Sequence, residues 1–489
     1  MPCYEFCNKN RQVIWITFYF QFLKLTIGDF TRVEYSLAVK CTTFESIRMI
    51  TLDYKYSSLL KVSMPLMVSG FIQSIVLLTD SAFLSRYSTL SFDAVGNAGL
   101  LFITCYMILV GLGDGTQIIL ARRIGEKKTA QIPHVFSSAL VLQFLFATLL
   151  FLALFFYAPK WLISISHDHT IASLQGGFLS VRAFAFFPSC LFLVIQSYFL
   201  AKGKTWPVLF SAVLTALSNI VLDYSLIFGN FGLPELGVKG AALASTCSDL
   251  IGMLSMVVLF MLDREYRLFR FRFFSFAFVK NLLRVSSPLM LQGSIALGTW
   301  TFFFMMLEQR GVFDLTVSQN IRSIYFLAFV PVWGFAGTTK TYVSQYLGRG
   351  KSELIPVIQK RIQLLTTLFL FITFHGAILY PETLVQWINP EEIYIEKSAE
   401  ILRLISLSVI LYGLISVYYQ TIQGSGNTIY SLCIEISTVL IYVTACHLFI
   451  NVFTLDIYWV WTVEYIYFGV IGIMSFLYLR NSNWKTKII

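Results

Sequence analysis

Apolar stretches recur along this chain at about 20 residues each, the length that crosses a bilayer, and short polar connections separate them. The pattern predicts helical spans at 60–84, 93–121, 134–157, 171–202, 206–229, 237–262, 281–307, 316–346, 356–379, 397–423, 428–450 and 457–480. Helices are required because lipid offers no partner to an open backbone N–H or C=O. The expected fold class is an all-α polytopic membrane protein with twelve transmembrane helices in two pseudo-symmetric six-helix lobes.

The symmetry is written into the residues. VSMPLM at 62–67 returns as VSSPLM at 285–290, an offset of 223 positions. Pro65 and Pro288, Gly70 and Gly293, Gly111 and Gly334, Gly125 and Gly348, Pro133 and Pro356, and Gly203 and Gly426 all keep that offset. Repeated hydrophobic halves of this kind are common in secondary transporters, which bind cargo between the halves. The expected divisions are 1–54 (an extension and a short cytoplasmic tail), 55–262 (first lobe), 263–280 (inter-lobe linker), 281–480 (second lobe) and 481–489 (cytoplasmic tail). Residues 1–48 have no partner in the second half. Met49 opens a run that reads as a natural start, so the extension is expected to be dispensable.

Charge orients the spans. One set of connections carries Arg122, Arg123, Lys127, Lys128, Lys202, Lys204, Arg264, Arg267, Arg270, Arg272, Arg349, Lys351 and Lys360. The other set is poor in bases and carries Asp168, Glu235, Asp314, Glu382, Glu391, Glu392 and Asp456. The positive-inside rule then places both termini in the cytoplasm of a bacterial inner membrane. The linker run RLFRFRFF at 267–274 suits a solvated connection or an amphipathic helix on an anionic membrane face.

Composition agrees. Hydrophobic residues reach 57% and charged residues 13%, with mean hydropathy +0.72, against about 25% charged in soluble domains. The net charge of +10 therefore belongs to loops, and no nucleic-acid partner is expected. Eight scattered cysteines form no CxxC pair, and no HExxH occurs, so neither a disulfide framework, a metal centre nor a cofactor is expected. No clustered His, Asp or Ser suggests an enzyme.

The candidate chemistry lies in the few ionisable residues within spans, which are costly in lipid. Asp80 lies in the first span; Asn219 and Asp223 lie one helical turn apart on one face of the fifth. Their oxygens suit Na⁺, and the same carboxylates suit protons. Their repeat partners are Phe303, Tyr442 and Cys446, so the ion chemistry is expected in the first lobe. Glu435, Glu464 and Asp249 are secondary candidates. Asp114 reads as part of a glycine-rich break with a packing role. Gln196 faces either a cavity or a neighbouring helix.

These segments, in this order, resemble the multidrug and toxic compound extrusion family over about 55–480. The carriers are VSMPLMVSG and LTDSAFL, ARRIGEKK, LAKGKTWP, SNIVLDYSLIFG, LGVKGAALAST, SSPLM, PVWGFAGTTKTYVSQYLGRGK and IQGSGNT. The resemblance implies an antiporter that exports amphipathic, often cationic compounds in exchange for Na⁺ or H⁺. Asp80, Asn219 and Asp223 match its first-lobe cation site. A sixth-span Thr of that site falls at Ser245 or Thr246, and Gln196 stands where an Asn is commoner. The family's acidic variant in spans seven and ten is absent here. The expected partners are a small-molecule cargo and membrane lipid, with the chain a monomer. The alternative is a lipid or lipid-linked sugar flippase. That activity calls for a strongly cationic cavity, whereas Arg182, Arg322 and Lys340 are the exceptional bases within the spans.

The charge pattern makes orientation testable in a background lacking native cysteines. An impermeant thiol reagent applied to whole cells should label Glu391→Cys and spare Lys127→Cys; the reverse pattern would invert the topology.

Overall fold

The computed structural model describes residues 52–165, 169–263, 268, 273–487 and 489. The extension 1–48, Asp168 and most of the basic linker, including Arg264, Arg267, Arg270 and Arg272, lie outside the described residues. Among the described residues, twelve helices are long and apolar enough to cross a membrane. We number them α1 (Tyr56–Tyr87), α2 (Leu90–Gly125), α3 (Thr129–Ser164), α4 (His169–Lys202), α5 (Trp206–Phe228), α6 (Val238–Leu262), α7 (Phe276–Glu308), α8 (Val312–Gly348), α9 (Ser352–Phe374), α10 (Glu392–Gly424), α11 (Thr428–Val452) and α12 (Ile457–Asn481). Each matches one span predicted from the hydrophobic pattern. Most run a few residues further into the polar flanks, where helical hydrogen bonds continue past the apolar stretch. α7 starts at Phe276, inside the stretch read as linker. The ninth span ends at Phe374 and turns through His375 into a separate short helix, Gly376–Leu379.

The predicted glycine break around Asp114 does not occur: α2 runs unbroken through it. Its glycines accommodate neighbours instead. Gly111 lies so close to Met290 of α7 that a Cβ would meet the Met290 backbone nitrogen at 2.5 Å and Cα at 2.6 Å. Gly115 lies equally tightly against Ser286. The repeat partner Gly334 of α8 faces Met67 of α1, whose own repeat partner is Met290: a Cβ there would run into the Met67 side-chain Cγ and meet its backbone nitrogen at 3.1 Å. Two pseudo-equivalent crossings therefore join the lobes, α2 with α7 and α8 with α1.

Within the first lobe, α5 packs on α1 and α6, and α2 on α3 and α4. In the second lobe, α10 packs on α8, α9 and α12, and α7 on α11. At the end bearing the basic loops, polar contacts seal the lobes together. Gln117 donates to the Gly337 carbonyl at 3.0 Å and to Thr341 Oγ1 at 2.8 Å. Ser344 donates to Ile118 O, and Gln345 to Ala201 O, both at 2.6 Å. Lys340 pairs with Asp114 at 2.6 Å, and Arg122 donates to Ser425 O at 3.0 Å. The helix ends themselves touch where Gly348 meets the backbone of Arg122 and Glu126.

Gly111→Ala should lower thermal stability in detergent by about 1–3 kcal/mol, the usual cost of overpacking. Gly99, where an added Cβ meets nothing within 4 Å, is the control: Gly99→Ala should be neutral or stabilising by up to about 1 kcal/mol through helix propensity. Equal melting temperatures for the two variants would remove the crossing argument.

Candidate functional site

α1 and α5 bring Asp80, Asn219 and Asp223 together. Asn219 and Asp223 share one face of α5, one turn apart, and both are fully buried. Asp80 approaches from α1, half-buried, with its carboxyl at hydrogen-bonding range of Asp223. Two ionised carboxylates are both acceptors and make no hydrogen bond with one another. Asp80 Oδ1, both Asp223 oxygens and Asn219 Oδ1 are accordingly buried without a hydrogen-bond partner among the described residues. Buried polar groups in proteins are nearly always paired. Two facing carboxyls, with a third unpartnered oxygen one helical turn away on α5, are therefore an arrangement that a proton or a desolvated cation completes.

The surroundings narrow the chemistry. Asn219 Nδ2 donates to Ser245 Oγ at 3.4 Å, which leaves its own carbonyl oxygen without a partner. Ser245 is thus the α6 hydroxyl in contact with this group. Thr246 donates to the Ala242 carbonyl of its own helix at 2.7 Å. Gln196 is half-buried on α4, and no hydrogen bond links it to the three residues among the described residues. Asp249 takes no direct part, because Arg182 Nη1 holds its Oδ2 at 2.6 Å. That pair is near enough to act electrostatically on Asp80, and Arg182 also acts on Asp223. The guanidinium lies over the Phe102 ring at 4.5 Å, at the point where α4 passes into a 3-10 turn, Ala183–Ala185. Arg182 is the residue whose place the chain alone did not reveal. The available signal was a base in the middle of the fourth span and a lone acid in the sixth.

The second lobe is built otherwise. Phe303, the repeat partner of Asp80, packs against Tyr442 at 6.1 Å and Trp461 at 5.4 Å. Glu464 of α12 enters this core. It accepts from the Tyr325 hydroxyl at 2.9 Å and the Tyr442 hydroxyl at 3.1 Å. Glu435 of α11 accepts from Tyr419 at 2.5 Å and Tyr467 at 2.6 Å, with Gln292 at 3.5 Å. Neither carboxylate comes near the first-lobe group. No group of three or more His, Cys, Asp or Glu forms a metal cluster among the described residues.

Comparisons with known proteins agree with this architecture. The family model MatE matches twice, over residues 65–225 and 288–448, the two repeats. A probable multidrug resistance protein NorM of Thermotoga maritima is 25% identical over 377 residues, 76% of this chain and 80% of the relative. A MATE family multidrug transporter of the MOP superfamily, solved in an outward-facing conformation, superposes with a TM-score of 0.81 at 22% identity, covering 88% of this chain and 97% of its own. A MOP superfamily transporter from Pyrococcus furiosus, described for the reverse polarity of its binding pocket, superposes at 0.82 with 21% identity, covering 91% and 99%.

The unpaired oxygens carry a stability cost that one substitution relieves. Asp223→Asn supplies an amide donor facing Asp80 in the same shape. It should raise thermal stability by about 1–3 kcal/mol, the range for an unsatisfied buried group. Asn219→Ala should not. A melting temperature for Asp223→Asn at or below that of the unsubstituted protein would mean that these acceptors are already satisfied.

Proposed function

The chain belongs to the MatE family, and from that premise we propose that it is a secondary antiporter of the bacterial inner membrane. It exports amphipathic, often cationic compounds in exchange for Na⁺ or H⁺. The observation that carries the reading is the set of four donorless buried oxygens on Asp80, Asn219 and Asp223. Such a group has a use for a cation and a cost without one. The multidrug resistance names of the NorM relatives support drugs as cargo.

The mechanism follows from competition and geometry. A coupling ion at Asp80 and Asp223 cancels the negative charge that holds a cationic cargo, and it draws α1 toward α5. The Gly111–Met290 and Gly334–Met67 crossings then serve as the bearings about which the lobes rock. The lobes are sealed at the basic, cytoplasmic end, which suits a state that takes up ions and releases cargo outside. The ion shifts the balance of the two states by as much as its affinities for them differ. A flippase for pyrophosphate-linked lipids is disfavoured by the bases within the spans. Arg182 is paired with Asp249 and Lys340 with Asp114, and Arg322 lies over the Phe304 ring at 4.8 Å.

The test is efflux of a fluorescent amphipathic cation from proteoliposomes under an imposed Na⁺ or pH gradient. One of the gradients should drive transport. Asp80→Asn and Asp223→Asn should each slow the driven rate by about tenfold or more, equivalent to about 1.4 kcal/mol per decade, with insertion unchanged. Asn219→Ala, losing a neutral ligand, should slow it less. Full driven transport in both Asp variants would overturn the reading.

A further inference from the structure

The second lobe contains a buried acid that the proposed coupling site does not use. Glu464 is 2% exposed. Tyr325 of α8 and Tyr442 of α11 each donate a hydroxyl to one of its oxygens, and the Trp300 side chain of α7 stands close by. Tyr442 is the repeat partner of Asn219, and Phe303 and Cys446 beside it are those of Asp80 and Asp223. The carboxyl thus occupies the place in the second lobe that repeat symmetry assigns to the first-lobe cation site. It arrives from α12 rather than from α7 or α11. The equivalence of the pockets, and not of the residues, makes Glu464 a candidate for ion chemistry.

The kind of ion follows from what faces the acid. The titratable groups around it are Tyr325 on α8, Tyr442 and Cys446 on α11, and Tyr467 on its own helix. Tyr412 of α10 stands behind Tyr325 and Tyr467. No Lys, Arg or His among the described residues balances its charge. A hard cation needs several acceptor oxygens around it. Here one carboxylate is met by donors, whereas the first lobe offers acceptors without donors. A proton suits the donor-lined cage: it binds one oxygen, and the adjacent tyrosine hydroxyl turns to accept instead of donate. The environment supports both forms. Burial opposes the charge, while the hydroxyls and the first turn of the helix starting at Val463 favour it.

We propose that Glu464 is a proton-binding site of the second lobe, taking its proton from water and returning it to water during the transport cycle. The first lobe then serves the coupling cation, and the second carries a proton of its own. Glu435 differs. Its two tyrosines and the Gln292–Gln423 hydrogen bond at 3.0 Å tie α7, α10, α11 and α12 together, which assigns it to lobe packing. The proposal rests on the antiporter reading for its role in transport, and its binding chemistry can be measured without transport.

The experiment is infrared titration of the purified full chain in lipid, without Na⁺ or cargo, following the carbonyl stretch of protonated carboxyls as pH is lowered. Glu464→Gln should lose one component of that titration, and Asp80→Asn should keep it. In proteoliposomes, Glu464→Gln should move one proton fewer per cargo molecule. Should Glu464→Gln fail to insert, Tyr325→Phe and Tyr442→Phe keep both rings, and each should change the midpoint of the component. An unchanged titration in Glu464→Gln, or unchanged midpoints in both tyrosine variants, would overturn the proposal whatever the variants' stability. If Asp80→Asn retained full driven transport while Glu464→Gln lost its component, the first-lobe reading would fail and this one would stand.

Discussion

Everything else in this molecule hangs on two places where one helix backbone rests against another lobe's helix. At Gly111 the Met290 backbone occupies the room a side chain would need, and at Gly334 the Met67 side chain does, with its backbone just behind. The first helix of each lobe thereby packs on the second helix of the other. α1 carries Met67 at one crossing and Asp80 thirteen residues further along, about 20 Å at 1.5 Å per residue. A tilt of α1 at its crossing would therefore be displayed at Asp80. Neither lobe can shift without moving a helix that belongs to the other's seam.

The repeat supplies a shared scaffold with divergent contents. In the first lobe the pocket holds acceptors facing acceptors, a cost that a bound proton or cation would remove. In the second lobe the same place is filled by Phe303, Tyr442 and Cys446, with an acid borrowed from α12 and saturated by hydroxyl donors. The repeat sets where the two pockets lie; the residues that differ between the halves set which chemistry each supports. Asymmetry of this kind puts two unlike ionisable groups at pseudo-equivalent places in the two lobes.

Much of this was legible along the chain. Apolar runs separated by basic and acidic loops give twelve spans because lipid enforces helices and penalises charge. Asp80, Asn219 and Asp223 stood out because few groups within the spans can ionise and because the repeat exposes where one half departs from the other. The remainder needed three dimensions. Arg182 and Asp249 lie 67 positions apart, and Tyr325 and Glu464 lie 139 apart, so no local period joins them. The choice between Ser245 and Thr246 is a matter of helix rotation. Asp114 read as a break because of its glycines, yet those glycines serve the neighbours' backbones and leave the helix intact.

The seal at the basic end consists largely of amides and hydroxyls donating to main-chain carbonyls: Gln117 to Gly337, Ser344 to Ile118 and Gln345 to Ala201. Each such bond contributes about 0.5–1.5 kcal/mol net, because water is nearly as good a partner for the same groups. Separation of the lobes there exchanges one set of hydrogen bonds for another. A closed and an open form of this seam would consequently differ less in bonding than in how much water the seam holds. If the seam opens as the antiporter reading requires, water activity acts on it as a ligand: osmolytes excluded from the seam would favour its closed form, and hydration its opening.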